Sequence, residues 1–197
     1  MNKILSLFLV VLIFAFASCK GDDKTNETDP KDSTTVESNI NDEKSTIDVN
    51  VEEVKAEQMI SMRSKVEMAE IGNEMGRLYG QLMTYADEKA YEMVGAPIAI
   101  YHDWTFTESD FECGLLVSGN LEPTDDIMVS ETYAGKVVTA INYGAYCTVT
   151  KTWKAISAYV KENGFEENGL PWEEYITDPT MEPDTSKWET KLYQPVK

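Results

Sequence analysis

Apolar residues in the first half of the sequence change from strand-like to helix-like spacing. Residues 51–63 have extended character, and Ser64 followed by Glu67 has the spacing of a capping box at the start of a helix. Apolar side chains then recur every three or four residues to about Asp87, which predicts an amphipathic helix. These side chains are Met68, Ile71, Met75, Leu78 and Leu82. Strand-like runs follow at 98–102 and 112–117.

The second half of the sequence repeats this order. Residues 127–131 and 137–143 are strand-like, and a helix pattern follows with Thr148 as its N-cap and Asn163-Gly164 as its stop. The apolar positions of that helix are Val149, Trp153, Ile156 and Val160. Two short strands near the C-terminus complete the repeat. We therefore predict an α+β fold of two strand-helix-strand-strand halves, with an antiparallel sheet, two helices and a central cleft.

The two C-terminal strands, within 171–179 and 188–196, carry aromatic rings, carboxylates and a lysine. Residues two apart on a strand point the same way, so Glu173 shares a face with Tyr175, and Lys191 with Tyr193. An acid among aromatic rings is a plausible floor for an organic-ligand pocket and favours cations. The alternative is a solvated strand. A register shift of one residue would instead give the inward face to Glu174.

The charge and composition of the chain argue against several classes of function. The chain has 35 acidic against 17 basic residues and a net charge of −18, which argues against a nucleic-acid partner. His102 is the only histidine and has no cysteine near it in sequence, so we expect no catalytic zinc and no Ser-His-Asp triad. We also expect no other metal and no cofactor. Cys113 and Cys147 either form a disulfide or remain buried free thiols; free thiols are slightly favoured.

The N-terminus has the order of an export signal. Lys3 precedes an apolar run, and small residues lead to Cys19. This resembles a lipoprotein processing site, with residues 1–18 removed and Cys19 acylated, for example with palmitate. The alternative is an ordinary secretory peptide. We expect the protein to be lipid-anchored to the outer membrane of the cell envelope, with surface exposure left open.

An acidic tether is expected after the leader. Residues 19–50 are rich in Asp, Glu, Ser and Thr and hold few apolar residues, so they cannot build a core. The remaining residues, 51–197, are enough for one domain.

Several motifs of that domain resemble the GyrI-like family, the effector-binding domain attached to AraC- and MerR-type multidrug regulators. The strongest match is the run Pro171-Trp172-Glu173-Glu174-Tyr175-Ile176-Thr177-Asp178-Pro179, followed by Thr190 through Val196. Further matches are Tyr133 through Val138, Tyr143 through Tyr146, and Ala99 through Asp103.

The resemblance implies a duplicated βαββ fold around a central pocket. It assigns the key acid to Glu173 and aromatic walls to Tyr101, Tyr146, Tyr175 and Tyr193. Lys191 stands where the family carries a second acid, so it could neutralise Glu173. The leader and tether stand where a DNA-binding module would precede the domain, so a transcription-factor role is not expected.

Two function classes follow. The favoured one is an envelope lipoprotein that binds a small aromatic or amphipathic molecule. The alternative is a hydrolase of strained, electrophilic small molecules, as some GyrI-like proteins are, with Glu173 as base or nucleophile and Tyr101 or Tyr146 as proton donor. A purely structural surface lipoprotein is a third, weaker option.

Overall fold

The computed structural model describes residues 47–197 of the chain. The expected leader, Cys19 and most of the tether lie outside this range. The first strand begins at Val49, so the last residues assigned to the tether belong to the domain. None of the helices within residues 47–197 has the length and apolar character needed to cross a membrane.

The domain contains nine strands and two α-helices within the described range. In chain order the elements are β1 (Val49–Val54), β2 (Gln58–Glu67), α1 (Ile71–Lys89), β3 (Glu92–Met93), β4 (Ile98–Trp104), β5 (Glu108–Ser118), β6 (Met128–Glu131), β7 (Gly135–Tyr143), α2 (Val149–Glu162), β8 (Trp172–Tyr175) and β9 (Glu189–Pro195). Short 3₁₀ helices lie at Tyr146–Thr148 and Thr185–Lys187. The α+β prediction is confirmed.

The sheet order shows the duplication. The strands run β1-β7-β9-β8-β4-β5-β2-β6, with β3 paired to β5, and the strand pairs are antiparallel. Strands β2, β5 and β4 form one half, and β7, β9 and β8 form the other. They meet where β4 pairs with β8. Each half also lends its leading strand to the other, because β1 pairs with β7 and β6 pairs with β2.

Both helices pack on one face of the sheet, which we call the helix face. Alternating residues of β2 and β5, such as Ile60 and Phe111, are buried there against Leu78 and Leu82 of α1. In the other half, apolar residues of β7 and β9 pack against Ile156 of α2. A separate cluster that includes Trp172 and Tyr193 lies on the opposite face. Because strand side chains alternate, each strand contributes to both faces.

The predicted capping box is wrong. Ser64 and Glu67 lie in β2, whose pairing with β5 continues to Glu67 opposite Glu108, and α1 begins only at Ile71. The partner strand satisfies the backbone groups that a helix would otherwise have paired. The Ser64 hydroxyl instead donates to a Glu74 carboxylate oxygen, at 2.7 Å, in the first turn of α1.

Thr148 occupies the N-cap position of α2, but its hydroxyl donates to the Ala145 carbonyl, at 2.8 Å, and caps no helical amide. The C-terminal stop of α2 is confirmed: the helix ends at Glu162, and Gly164 has φ +69°, a left-handed conformation that glycine tolerates.

Cys113 is a buried free thiol, so no disulfide joins it to Cys147. Burial raises the pKa of the Cys113 thiol to about 12, which keeps it protonated and chemically quiet. Cys147 is exposed at the 3₁₀ helix before α2, contrary to the expectation of burial.

Candidate functional site

The seam between the two halves places an acid and two phenols side by side. In the β4–β8 pair, Ala99 lies opposite Glu173. The period of two along each strand then brings Tyr101 and Tyr175 to the same face as Glu173. This is the helix face, where α1 and α2 flank the seam and leave a cleft between them.

The cleft holds a cavity of about 430 Å³. Its walls come from both halves and are mostly apolar or aromatic. The lining residues are Met68, Ile71, Met75, Tyr101, Ala145, Tyr146, Cys147, Val149, Thr150, Glu173, Tyr175, Thr185 and Trp188. Glu173 is the one acidic residue in this lining, and no lysine, arginine or histidine of the described residues joins it there. The size and lining are typical of a small-molecule site.

Three side chains donate hydrogen bonds to the Glu173 carboxylate. Oε2 accepts from the Tyr101 hydroxyl at 3.0 Å and from the Tyr175 hydroxyl at 3.1 Å. Oε1 accepts from the indole Nε1 of Trp153 at 2.8 Å. Glu173 is only 5% exposed. The carboxyl is therefore held in one orientation within the cavity wall.

Burial raises the pKa of Glu173, and the bonds from Trp153, Tyr101 and Tyr175 offset part of that effect. Burial and the negative charge of Glu173 both hold the pKa values of Tyr101 and Tyr175 well above the ordinary tyrosine value. The two phenols therefore keep their protons and act as donors. A carboxyl with a raised pKa beside protonated phenols can accept a cation or a proton.

Further rings surround this centre. Tyr146 packs edge-on against Tyr175 with ring centroids 5.3 Å apart. It also packs against Trp188 in a tilted arrangement, with ring centroids 4.8 Å apart. The Trp104 ring lies near the rings of Tyr101 and Trp153, with centroid distances of 5.9 Å and 6.4 Å. Aromatic faces carry negative quadrupoles, so these rings favour flat aromatic groups and cations.

The structure brings some of the predicted residues together and separates others. Glu173, Tyr101, Tyr146 and Tyr175 all line the cavity, and their role as ligand contacts stays a prediction.

Tyr193 and Lys191 lie on the opposite face of the sheet, so their assignment to the pocket is wrong. Tyr193 pairs with Trp172 rather than with Glu173, and the two rings stack at 4.5 Å. The Lys191 ammonium bonds Glu52 at 2.9 Å and lies over the Tyr193 ring, so it does not neutralise Glu173.

Glu174 also faces away from the cavity. Its carboxylate accepts a hydrogen bond from the Tyr193 hydroxyl at 2.5 Å on the opposite face. The one-residue register shift considered from the sequence does not occur, because the β8–β9 pairing places Glu173 opposite the buried Leu192 of the helix face.

Trp153 is a site residue that the sequence pattern missed. Its spacing in α2 marked it as a core position, and it does pack beside that core. Its indole N–H also reaches across to Glu173. The signal available in the sequence was chemical: a buried tryptophan N–H usually finds an acceptor. Nothing in the helix spacing named that acceptor.

His102 fits the expectation of a satisfied polar residue. Its Nε2 lies 3.0 Å from a Glu112 carboxylate oxygen, and neither side chain lines the cavity. No group of three or more His, Cys, Asp or Glu side chains suited to hold a metal occurs among residues 47–197.

Comparison with solved structures finds the same fold. A crystal structure of the EcmrR C-terminal domain matches with a TM-score of 0.65 and 19% identity over 77% of this chain and 98% of that one. In a cryo-EM structure of an EcmrR–DNA complex, with a TM-score of 0.65 and 21% identity, the match covers 76% of this chain but 57% of that chain.

Two other structures match at lower identity. SAV2435 bound to tetraphenylphosphonium has a TM-score of 0.57 and 12% identity over 77% of this chain and 94% of that one. A hydrolase from Listeria innocua has a TM-score of 0.55 and 13% identity over 76% of this chain and 91% of that one. At these identities the likeness shows the fold alone. No curated protein matches the chain.

The sequence itself matches the GyrI-like small molecule binding domain over residues 47–197, which spans the whole described domain. Residues 47–197 of this chain therefore belong to the GyrI-like family and form a small-molecule-binding domain.

Proposed function

We propose that this protein binds a small aromatic or amphipathic molecule, preferably cationic, in the cavity between α1 and α2, with Glu173 as the recognition group. The observation that carries the proposal is the position of Glu173. It is a buried carboxyl in an aromatic-walled cavity of about 430 Å³, and the described lining supplies no basic side chain to neutralise it.

The charge of a bound cation complements this site. Ionising a buried carboxyl is costly because water no longer solvates it, and hydrogen bonds recover only part of the cost. A cation near Oε1 or Oε2 supplies the missing charge, and the surrounding rings add cation–π attraction. With Lys191 on the opposite sheet face, no lysine competes for Glu173 from β9.

Tetraphenylphosphonium, the molecule in the SAV2435 structure, is a suitable first probe. We expect calorimetric titration to show binding to the wild type and at least about tenfold weaker binding to Glu173→Gln, since the variant removes the charge and keeps the side-chain shape. Glu174→Gln is the matched control, because it changes the neighbouring acid on the opposite face. Equal affinity of wild type and Glu173→Gln for the cation would refute Glu173 as the recognition group.

One contact favours a second candidate function, the hydrolysis of strained electrophiles. The Tyr101 hydroxyl lies 3.0 Å from Glu173 Oε2, so a base and an acid are adjacent. Glu173 would take a proton from a water molecule while the oxygen of that water bonds to the electrophilic carbon. The strained carbon–carbon bond would break, and Tyr101 would protonate the departing carbon. The Glu173 proton would then return to Tyr101, giving net addition of one water.

Turnover of a cyclopropane-bearing electrophile, followed by mass spectrometry, tests this candidate. If the protein is a hydrolase, the mass of the substrate should increase by one water with the wild type. This increase should be absent with both Glu173→Gln and Tyr101→Phe. Absence of turnover above the Glu173→Gln background would reject it for those substrates and leave binding as the function.

The envelope location is a further part of the proposal and rests on the sequence alone. Residues 1–18 would direct export, and Cys19 would carry the acyl chains. Incorporation of labelled palmitate into the wild type but not into Cys19→Ala is the expected result. Labelling that persists in Cys19→Ala would rule out Cys19 as the acylated residue.

A further inference from the structure

A second chamber adjoins the main cavity. It has a volume of about 220 Å³ and lies between α1, the segment before β4, and the Ile176–Pro179 segment that follows β8. Its apolar wall includes Met83, Met93, Pro97, Ile176 and Pro179. The Asp178-Pro179 pair belongs to the strongest family-like motif, yet neither residue touches the main cavity.

Two tyrosine rings separate the chambers, because Tyr146 and Tyr175 line both. Tyr175 is fixed: its hydroxyl donates to Glu173 at 3.1 Å, and its ring packs edge-on against the buried Tyr79 at 6.3 Å. Tyr146 is the other dividing residue. It lies on the short 3₁₀ helix after Gly144, whose φ of +114° marks a sharp turn, and its ring rests on Tyr175 and Trp188.

Passage of a ligand between the chambers would require the Tyr146 side chain to rotate about its Cα–Cβ bond. Rotamer changes of this kind are common at binding sites even where the backbone stays in place. The two methionines in the outer wall also adapt their shape to a guest, because their side chains are unbranched and flexible.

The acidic residues on either side of the Tyr146 ring indicate which kind of ligand the two chambers favour. Asp178 lies on the side of the second chamber and Glu173 on the side of the main cavity. Burial first, and then the charges of Asp178 and Glu173, raise the pKa of Tyr146 to about 12. Both acids repel an anionic guest, and the apolar wall of the second chamber suits a hydrocarbon chain.

We propose that the second chamber is a tail pocket: the ligand is an amphiphilic cation whose head group meets Glu173 and whose apolar tail passes Tyr146 into the space between Met83 and Pro179. This inference rests on the proposed function of the main cavity and adds the shape and length of the ligand. Each methylene buried in the tail pocket raises the affinity about threefold to fourfold.

A series of N-alkyl-4-phenylpyridinium salts, from methyl to octyl, tests the tail pocket by calorimetric titration. In the wild type the affinity should rise with each added methylene and level off when the pocket is full. Ala96→Phe places a ring in the tail pocket, since Ala96 lines that chamber and not the main cavity. This variant should bind the methyl compound as the wild type does and lose the gain with chain length. Alkylbenzenesulfonates of equal length should not bind.

The outcomes separate the two proposals. If the methyl compound binds in a Glu173-dependent manner but octyl gives no gain in the wild type, or the same gain in Ala96→Phe, the tail pocket is wrong and the proposed function stands. If no member of the series binds the wild type, both proposals fail for this class of cation. Tyr146→Ala is a second variant that removes the dividing ring. It should keep the chain-length gain, and loss of the gain there would also overturn the proposal.

Discussion

Tyr101 and Glu173 lie 72 residues apart in the chain, and the Tyr101 hydroxyl donates to Glu173 Oε2 at 3.0 Å across the seam between the two halves. The β4–β8 pairing creates this contact. It couples the first half of the domain to the acid of the second half. The bond therefore joins the two halves at the acid that lines the cavity.

Tyr101→Phe removes this donor and keeps the ring. A hydrogen bond to a charged acceptor contributes about 1.5–3 kcal/mol, so we expect a loss of this order in the free energy of unfolding when Glu173 is ionised. The bond lowers the Glu173 pKa, so its loss should cost more at pH 9 than at pH 4. Urea denaturation at the two pH values measures this difference. A deficit independent of pH would mean that the bond does not sense the charge of Glu173.

Glu173→Gln should stabilise the free protein at high pH. Burial raises the Glu173 pKa, so on raising the pH the unfolded carboxyl ionises first and the folded state retains its proton longer. The wild type therefore loses stability as the pH rises from the Glu173 pKa of the unfolded state, about 4.3, through the higher pKa of the folded state. We expect the variant to be more stable than the wild type at pH 9 and to differ little from it at pH 3. Destabilisation that grows with pH would contradict this.

Cation binding should strengthen with pH. While Glu173 is protonated, a cation must displace the proton, which weakens the apparent affinity by up to about tenfold per pH unit below the pKa. Trp153→Phe removes the largest of the hydrogen bonds that lower this pKa, so the midpoint should move to higher pH. Tetraphenylphosphonium titrations from pH 5 to 9 measure both effects. An unchanged midpoint in Trp153→Phe would show that the indole does not control the carboxyl.

Lys191→Met should leave cation affinity within about twofold of the wild type, because the ammonium lies on the opposite sheet face and pairs with Glu52 at 2.9 Å. Loss of this partly exposed ion pair should cost less than about 1 kcal/mol of stability. Calorimetric titration and urea denaturation check the two values. A tenfold gain in cation affinity would mean that the lysine charge reaches Glu173 after all.

Glu74→Gln tests the contact that replaced the expected capping box. Hydrogen bonds from Arg77, and a weaker effect from Ser64, hold the Glu74 pKa at about 2 against the effect of burial. A carboxyl whose pKa is lowered on folding stabilises the folded state at pH values above the pKa of the unfolded state. This stabilisation disappears as the pH falls towards 2. The variant should therefore be about 1 kcal/mol less stable than the wild type at pH 6, with the gap closing towards pH 2. A constant gap in thermal or urea denaturation would contradict this origin.

Local patterns explain much of the agreement between sequence and structure. The apolar spacing of Met75, Leu78 and Leu82 identified α1, because a helix buries one face every three or four residues. Parity along β8 grouped Glu173 with Tyr175, because strand side chains alternate. The resemblance of the 171–179 motif ranked Glu173 above Glu174, and Glu173 is the one that faces the cavity.

Register explains the errors. Parity within β9 correctly grouped Lys191 with Tyr193, but it could not say which face they share. That choice depends on pairing with β8, which spacing within one strand does not encode. Ser64 likewise has cap-like neighbours, but its pairing with β5 overrides them. The exchange of β1 and β6 between the halves depends on partners far apart in sequence.

The sequence by itself determined the element types, the duplicated α+β order and the family of the domain, because periodicity and short motifs act over a few residues. Only the tertiary structure decided that Trp153, Tyr101 and Tyr175 converge on Glu173 and that Lys191 does not. These contacts join separate elements, and their geometry follows from strand register and helix packing, which the whole chain must settle together.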